Sequence, residues 1–206
     1  MAVDDTQTAF ARAAAEDGIA LESRTFDWLC EQGHVVLERV AKARRDPALV
    51  APVVAALGVL AAIYARLGGD LSVLQASRAN LLLTARLVHV PSGTLIEVDG
   101  AEHFTSFRLQ ALELYPEAAA LGFDSGEYAA LCRALAPQSD RLSRGMPATG
   151  FGFGGVPRER AYHDALFDLA TPAMGHPPLV RVAAVDGDGA AAYRRARRSL
   201  LALSGS

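Results

Sequence analysis

No aspartate or glutamate occurs anywhere from Leu71 to Ile96 in this 206-residue chain. That stretch offers no carboxylate for catalysis or for a hard cation, so an acidic site must be built from residues outside it. Cysteine is nearly as scarce. Cys30 and Cys132 are the two thiols, far apart and outside any C-x-x-C. This spacing excludes a disulfide framework and a thiolate zinc site, and predicts reduced, buried thiols in a cytosolic protein. An excess of positive charge is missing too. The net charge of -3 excludes a strong nonspecific attraction to nucleic acid. The opening "MAVDDTQTAF" lacks a basic start followed by an apolar run, so no signal peptide is expected and the localisation reads as cytoplasmic.

Other signals fail on their context. "GFGFGG" at 150–155 contains G-x-G-x-x-G, but no predicted strand precedes it and no GK[ST] follows. It reads as a loop in which Phe151 or Phe153 is an anchor, or a base-stacking residue, rather than as a nucleotide fingerprint. "DGDG" at 186–189 is a turn and helix cap without the remaining ligands of a calcium loop. His34, His163 and His176 lack metal-ligand spacing, and no Ser-His-Asp or Cys-His arrangement follows from spacing.

What is present is a chain that is 51% hydrophobic and 21% charged, enough for a full core. Its alanine, glycine and arginine content fits a GC-rich bacterial genome. One long apolar run, residues 48–65, holds eighteen residues without a charge. It reaches the lower length limit for a membrane span. Its seven alanines, with Pro52 and Gly58, favour a buried core helix, so no membrane partner is expected.

The pattern divides the chain. The first eight residues read as frayed. From Thr8 to Ala65 the periodicity is helical, with Phe26, Leu29, Val36, Leu37 and Val40 as a stripe and Asp46-Pro47 starting the apolar helix. Residues 1–69 are therefore expected to form a helical subdomain and 70–206 an α/β domain. In the second part, "NLLLTARLVHV" (80–90) and "TLIEVD" (94–99) read as strands joined by "PSG". Helices are expected from Thr105, around 125–135, from Pro157 and in the last segment, with a strand in "PPLVRVAAV" (177–185).

Alternation puts Leu95, Glu97 and Asp99 on one strand face. Two carboxylates there repel each other and are costly to bury unless a cation sits with them. Mg²⁺ or Mn²⁺ would suit them. The alternative is that Asp99 caps the turn at Gly100 while Glu97 pairs with an arginine. A three-residue turn sets Leu87 opposite Glu97 and His89 opposite Leu95; a shift of one residue sets Arg86 opposite Glu97.

The strand ending "IEVDG", then "AEHF", a helix, and later "RAYHDALFDLA…PPLVRV" resembles the PD-(D/E)XK nuclease superfamily, in particular its very-short-patch-repair-like endonuclease branch. The likeness covers roughly residues 80–185. It implies a restriction-endonuclease-like mixed sheet flanked by helices and metal-dependent hydrolysis of DNA phosphodiesters. On that likeness Glu97 is the metal-binding acid, Asp99 stands where many members have lysine, and His103 assists as ligand or acid/base; read with the shared strand face, Glu97 and Asp99 together are expected to hold the metal. Arg108 and Arg181 position phosphate. Arg158 and Arg160 add positive charge at a helix start, where it opposes the dipole and points to an anionic partner such as nucleic acid. The four arginines of "YRRARRSL" are a solvated face or a phosphate-contacting patch. The superfamily's further acid, expected near Arg86, is missing; Asp70 lies too early, and Glu22, Glu31 or Glu38 remain as substitutes. The second reading is therefore an inactive module of the same fold that binds nucleic acid or a protein partner.

Overall fold

In the computed structural model, residues 3–77, 81–142 and 144–203 are described. The order of elements is α1 (Val3–Glu16), β1 (Leu21–Cys30), α2 (His34–Ala43), α3 (Pro47–Arg66), α4 (Leu71–Ala76), β2 (Leu82–His89), β3 (Leu95–Asp99), a 3₁₀ turn (Ala101–His103), α5 (Ser106–Leu112), α6 (Ser125–Leu142), α7 (Val156–Ala173), β4 (Val180–Ala183) and α8 (Gly189–Leu203). The expected frayed start gives way to helix from Val3. Met1 and Ala2, and Asn80 at the head of the expected strand, lie outside the described residues.

The four strands form one mixed sheet in the order β1-β2-β3-β4. β1 and β2 are antiparallel, as are β2 and β3, while β3 and β4 run parallel. The parallel step needs a crossover, and α5, α6 and α7 supply it. Alternation along β3 sorts the residues as expected. Ile96 and Val98 pack with Phe10, Ile19, Val182 and Tyr193 on the side of α1 and α8. Leu95 packs with Val88, Ala165 and Leu166 on the side of α7. The α1–α8 layer closes tightly: a Cβ at Gly189 would stand 1.9 Å from the Thr6 carbonyl oxygen, so only glycine fits there.

The first third corrects the helical expectation. Residues 21–30, "LESRTFDWLC", form the edge strand β1, so 1–69 is not an all-helical subdomain and its strand completes the sheet. Phe26 and Leu29 match a helical stripe, but Gly18 takes a positive φ of 75° and ends α1, and Thr25, Phe26 and Trp28 suit a pleated surface. The hairpin register is the shifted one. Leu87 pairs with Ile96 and Val88 with Leu95, which sets Arg86 across from Glu97 by extension. His89 is held in the turn, with its Nδ1 2.8 Å from Ser92 Oγ, and does not join the acid face.

The apolar segment 48–65 is helical as expected, capped by Asp46, whose carboxylate accepts from the Ala48 N–H at 2.9 Å. It is not a wholly buried helix. Val53, Ala56, Leu60, Ile63 and Tyr64 enter the core, while Leu49 and Val54 are 53% and 51% exposed.

Candidate functional site

Asp99 ends β3 beside β4, and the parallel register sets Glu97 next to Arg181 on the neighbouring strand. Their shared face looks toward α7. On that helix Asp164 and Asp168 are four residues apart, one turn above the other on a single face. The first turn of α5 brings in Arg108, fixed by Thr105, whose hydroxyl accepts from the Arg108 N–H at 3.1 Å. Tyr128 comes from α6 and Tyr115 from the segment after α5. The carbonyl oxygens of the 3₁₀ turn are also tied down: Ser139 Oγ donates to Ala101 at 2.6 Å, and Arg160 Nη1 to Glu102 at 3.3 Å. His103 therefore has a fixed position.

Arg181 is the centre of the cluster. Its Nη1 donates to both carboxylate oxygens of Asp99, at 2.9 and 3.0 Å. Its Nε donates to Asp168 Oδ1 at 2.7 Å, and its Nη2 donates to the Asp164 carbonyl oxygen at 3.0 Å and lies 3.4 Å from the carboxylate. Tyr128 donates to Asp99 Oδ2 at 2.8 Å. The other oxygen of Asp168 accepts from Arg108 Nη2 at 2.5 Å and from Tyr115 at 2.7 Å. The Arg108 guanidinium also lies 5.1 Å from the Tyr128 ring centre. Arg108 Nε is buried without a hydrogen-bond partner.

His103 closes the network. Its Nδ1 lies 3.0 Å from Asp164 Oδ2 and 3.6 Å from Asp99 Oδ1, and its Nε2 lies 3.9 Å from Glu102 Oε1. Burial alone would lower its pKa, but Asp164 and Asp99 outweigh that and raise it to about 9. Burial would push the Asp164 carboxyl up, yet His103 and Arg181 hold it well below the usual range. Glu97 goes the other way. Burial raises it to about 7, against the pull of Arg181 and with help from Asp99. Three acids, Asp99, Asp164 and Asp168, thus face three cations, Arg108, Arg181 and protonated His103. Glu97 is a fourth carboxyl beside them, so the cluster balances its own charge when Glu97 is protonated.

Asp99, His103 and Asp164 lie close enough to hold a metal ion, with one donor atom from each within 4.8 Å of the others. The donor set is not free to take one. Both oxygens of Asp99 are already engaged by Arg181 and Tyr128, and Arg181 also bonds Asp168 and lies 3.4 Å from Asp164, so a guanidinium supplies positive charge beside the candidate ligands. In this arrangement the residues present do not fit a metal.

The expected site residues are divided by the structure. Glu97, Asp99, His103, Arg108 and Arg181 come together as the alternation and the resemblance suggested. Arg108 and Arg181 nevertheless have fully buried side chains spent on Asp168, Asp99 and Asp164, so neither has a surface to offer phosphate. Arg158 serves the glycine loop, with its Nη2 2.7 Å from the Phe151 carbonyl oxygen and 2.9 Å from that of Phe153. Phe151 is buried against Tyr64, while Phe153 is 83% exposed.

None of the acids considered from the first third joins the cluster. Glu22 pairs with Arg24 on β1 and Glu38 with Lys42 on α2, while Glu31 lines a separate small cavity with Glu159 and His163. The missing acids come instead from α7, downstream of the strand. Two aspartates at i and i+4 inside the apolar run "AYHDALFDLA" were the available signal, because a core-facing pair at that spacing needs cations. Tyr115 and Tyr128 carried no comparable signal. No protein-family model, curated protein or solved structure matches this chain.

Proposed function

We propose that this chain is a non-hydrolytic binding module, built on a restriction-endonuclease-like plan in which arginine takes the place of the metal, and that its partner is a protein. The observation that carries the reading is the position of Arg181, bonded to Asp99 and Asp168 and lying against Asp164. A phosphodiester must reach the reacting groups, and the Asp99 and Asp168 side chains are fully buried. A protein partner is favoured over DNA because the net charge is -3 and several of the basic residues considered for phosphate are engaged within the chain. Arg197 holds Asp17 at 2.6 and 3.0 Å, Arg195 donates to the Ala183 carbonyl oxygen, and Arg158 and Arg160 bond backbone carbonyls.

The second reading is a phosphodiesterase acting on DNA with Mg²⁺ or Mn²⁺. It is favoured by the spacing of Asp99, His103 and Asp164 and by Glu97, whose pKa of about 7 suits proton exchange. Calorimetric titration of Mn²⁺ into the wild type, Glu97→Ala and Asp99→Asn separates the two, alongside a cleavage screen on plasmid and single-stranded DNA. The non-hydrolytic reading expects no saturable heat and no cleavage. Saturable binding lost in Asp99→Asn, with cleavage lost in Glu97→Ala, would overturn it. DNA retention that weakens with salt and ignores EDTA would keep the silent site but replace the protein partner with nucleic acid.

A further inference from the structure

We infer that the loop "GFGFGG" (150–155) is where this chain docks its partner, with Phe153 as the anchor and Arg141 and Arg144 beside it, and that the occupant is an acidic protein surface with an apolar socket. This deepens the proposed function and rests on its protein partner. Phe153 is 83% exposed, more than any other large hydrophobic side chain among the described residues.

The two phenylalanines of the motif divide between the interior and water. Phe151 is buried, its ring 4.9 Å from that of Tyr64. Gly152 and Gly154, with φ of 64° and 67°, bend the backbone on either side of Phe153 into a conformation that other residues rarely adopt. The loop is tied at several points. The Gly152 N–H donates to the Ala148 carbonyl oxygen at 2.9 Å, and the Ala148 N–H donates back to Gly152 at 3.1 Å. Arg158 Nη2 donates to the carbonyl oxygens of Phe151 and Phe153. None of these bonds uses the Phe153 side chain, so the fold does not need a phenyl ring there. It holds the ring on a braced backbone instead. An aromatic held in this way gives up little freedom on entering a socket, which suits an interface anchor.

The surroundings identify the occupant. The ring lies over Gly145, where a built Cβ would stand 3.1 Å from Phe153 Cζ. Met146 follows Gly145, and Leu142 ends α6 three residues before it; they are 52% and 54% exposed. Arg141 and Arg144 are exposed, and neither side chain meets an acid among the described residues. From Arg141 to Arg158 the sequence contains no aspartate or glutamate. The acids on either side are turned away. Asp140 accepts from the Ser106 N–H at 3.0 Å, and Glu159 lines the small cavity beside Tyr64 and Phe151. The tip is therefore apolar and positive in a chain whose net charge is -3, and its complement carries carboxylates. Aromatic residues, methionine and arginine are the types enriched where proteins meet. A nucleic acid would use the ring and the arginines but leave Met146 and Leu142 without an apolar counterpart, so a protein matches more of the patch.

Selection of a random dodecapeptide library on the immobilised full chain tests this, followed by fluorescence polarisation with the enriched peptides. Those peptides should carry carboxylates around an aromatic or aliphatic residue. Their affinity should fall by about tenfold or more in Phe153→Ser and in Arg141→Glu/Arg144→Glu, and should fall as salt rises. Phe153→Ser should keep the wild-type urea midpoint, because the ring stands mostly in water. Peptides that bind Phe153→Ser as well as the wild type, or that show no excess of acids, overturn this docking surface and leave the protein-partner reading standing. A lowered urea midpoint makes the ring a part of the fold and overturns it as well. No enriched peptide, with single-stranded DNA retained by the wild type and released by Phe153→Ser, overturns both readings and assigns the tip to nucleic acid. Neither peptide nor DNA retained also overturns it.

Discussion

The interior beneath α7 and the outer side of α3 reverse the usual partition of residues. Beneath α7, Asp99, Asp168, Arg108 and Arg181 have fully buried side chains. On α3, Val54 is 51% exposed among exposed Ala51, Ala55 and Gly58. Both arrangements oppose solvation, but only the first is answered within the chain. Asp99, Asp164 and Asp168 each meet a guanidinium, a tyrosine hydroxyl or an imidazole, and these three acids match Arg108, Arg181 and His103 in number. The second has no internal answer among the described residues, which makes α3 the informative surface and the cluster a self-contained one. A buried group that is fully paired reports on how the fold is held, whereas an apolar face left open reports on what the fold meets.

Arg181→Met breaks the comparison most severely. Truncating one member of a buried ion network leaves its partners uncompensated, so the variant should lose about 3–5 kcal/mol in urea unfolding or fail to fold. Asp168→Asn should follow it, because Asp168 serves Arg108, Arg181 and Tyr115 together. The double variant Arg181→Met/Asp168→Asn should cost less than the sum of the two, since the residues act as one network. A loss below about 1 kcal/mol for Arg181→Met would mean that the carboxylates find water or a metal in its absence, and the cluster would no longer count as self-contained.

The next effect is pH-dependent. His103 has a folded pKa of about 9, above its unfolded value. Its contribution is therefore complete below about 6.5 and is lost as pH rises toward 9. Glu97, also raised, favours folding in its protonated form; that contribution is complete below about 4.5 and is gone by about 7. Asp164 has the opposite sign, because its depressed carboxyl stabilises above its unfolded value of about 4 and less as pH falls. His163, lowered to about 4 by burial, opposes Glu97 over part of the same range, so differences between variants read each group cleanly. Urea midpoints of wild type minus His103→Gln should decline between pH 6.5 and 9, and those of wild type minus Glu97→Gln between 4.5 and 7. Flat differences would mean that the cluster is hydrated and not the low-dielectric site that its geometry describes.

Thr105→Ala should cost about 1 kcal/mol by removing the N-cap of α5. If Arg108 depends on that cap for its position, the variant should also reduce the His103-linked decline with pH. How much of this cluster was legible in the sequence follows from the same geometry. The period of two along "TLIEVD" was enough to put Glu97 and Asp99 on one face, and the resemblance pointed to His103 and Arg181. Asp164 and Asp168 carried one local signal, their four-residue spacing in an apolar run, but what they meet depends on α7 returning over the sheet, a long-range fact that no local period records. β1 was hidden for a different reason. It is an edge strand with exposed Glu22, Ser23 and Arg24, so half of its pattern belongs to solvent, and Phe26 with Leu29 imitates a helical repeat. The apolar run on α3 was legible as a helix but not as an exposed one, because composition does not record which side of a helix the rest of the chain leaves uncovered.

The smallest expected effect sharpens the contrast most. Leu49→Ser and Val54→Ser replace apolar side chains that are about half exposed, so each should change monomer stability by no more than about 0.5 kcal/mol at low protein concentration. Removing one buried charge from the cluster should thus cost several times more than removing two apolar groups from α3, the reverse of what residue type alone suggests. Urea midpoints of the wild type and the two variants at low protein concentration measure the difference. A large loss for Val54→Ser would show that this side chain belongs to the core of the monomer, and the open face would then be an internal one.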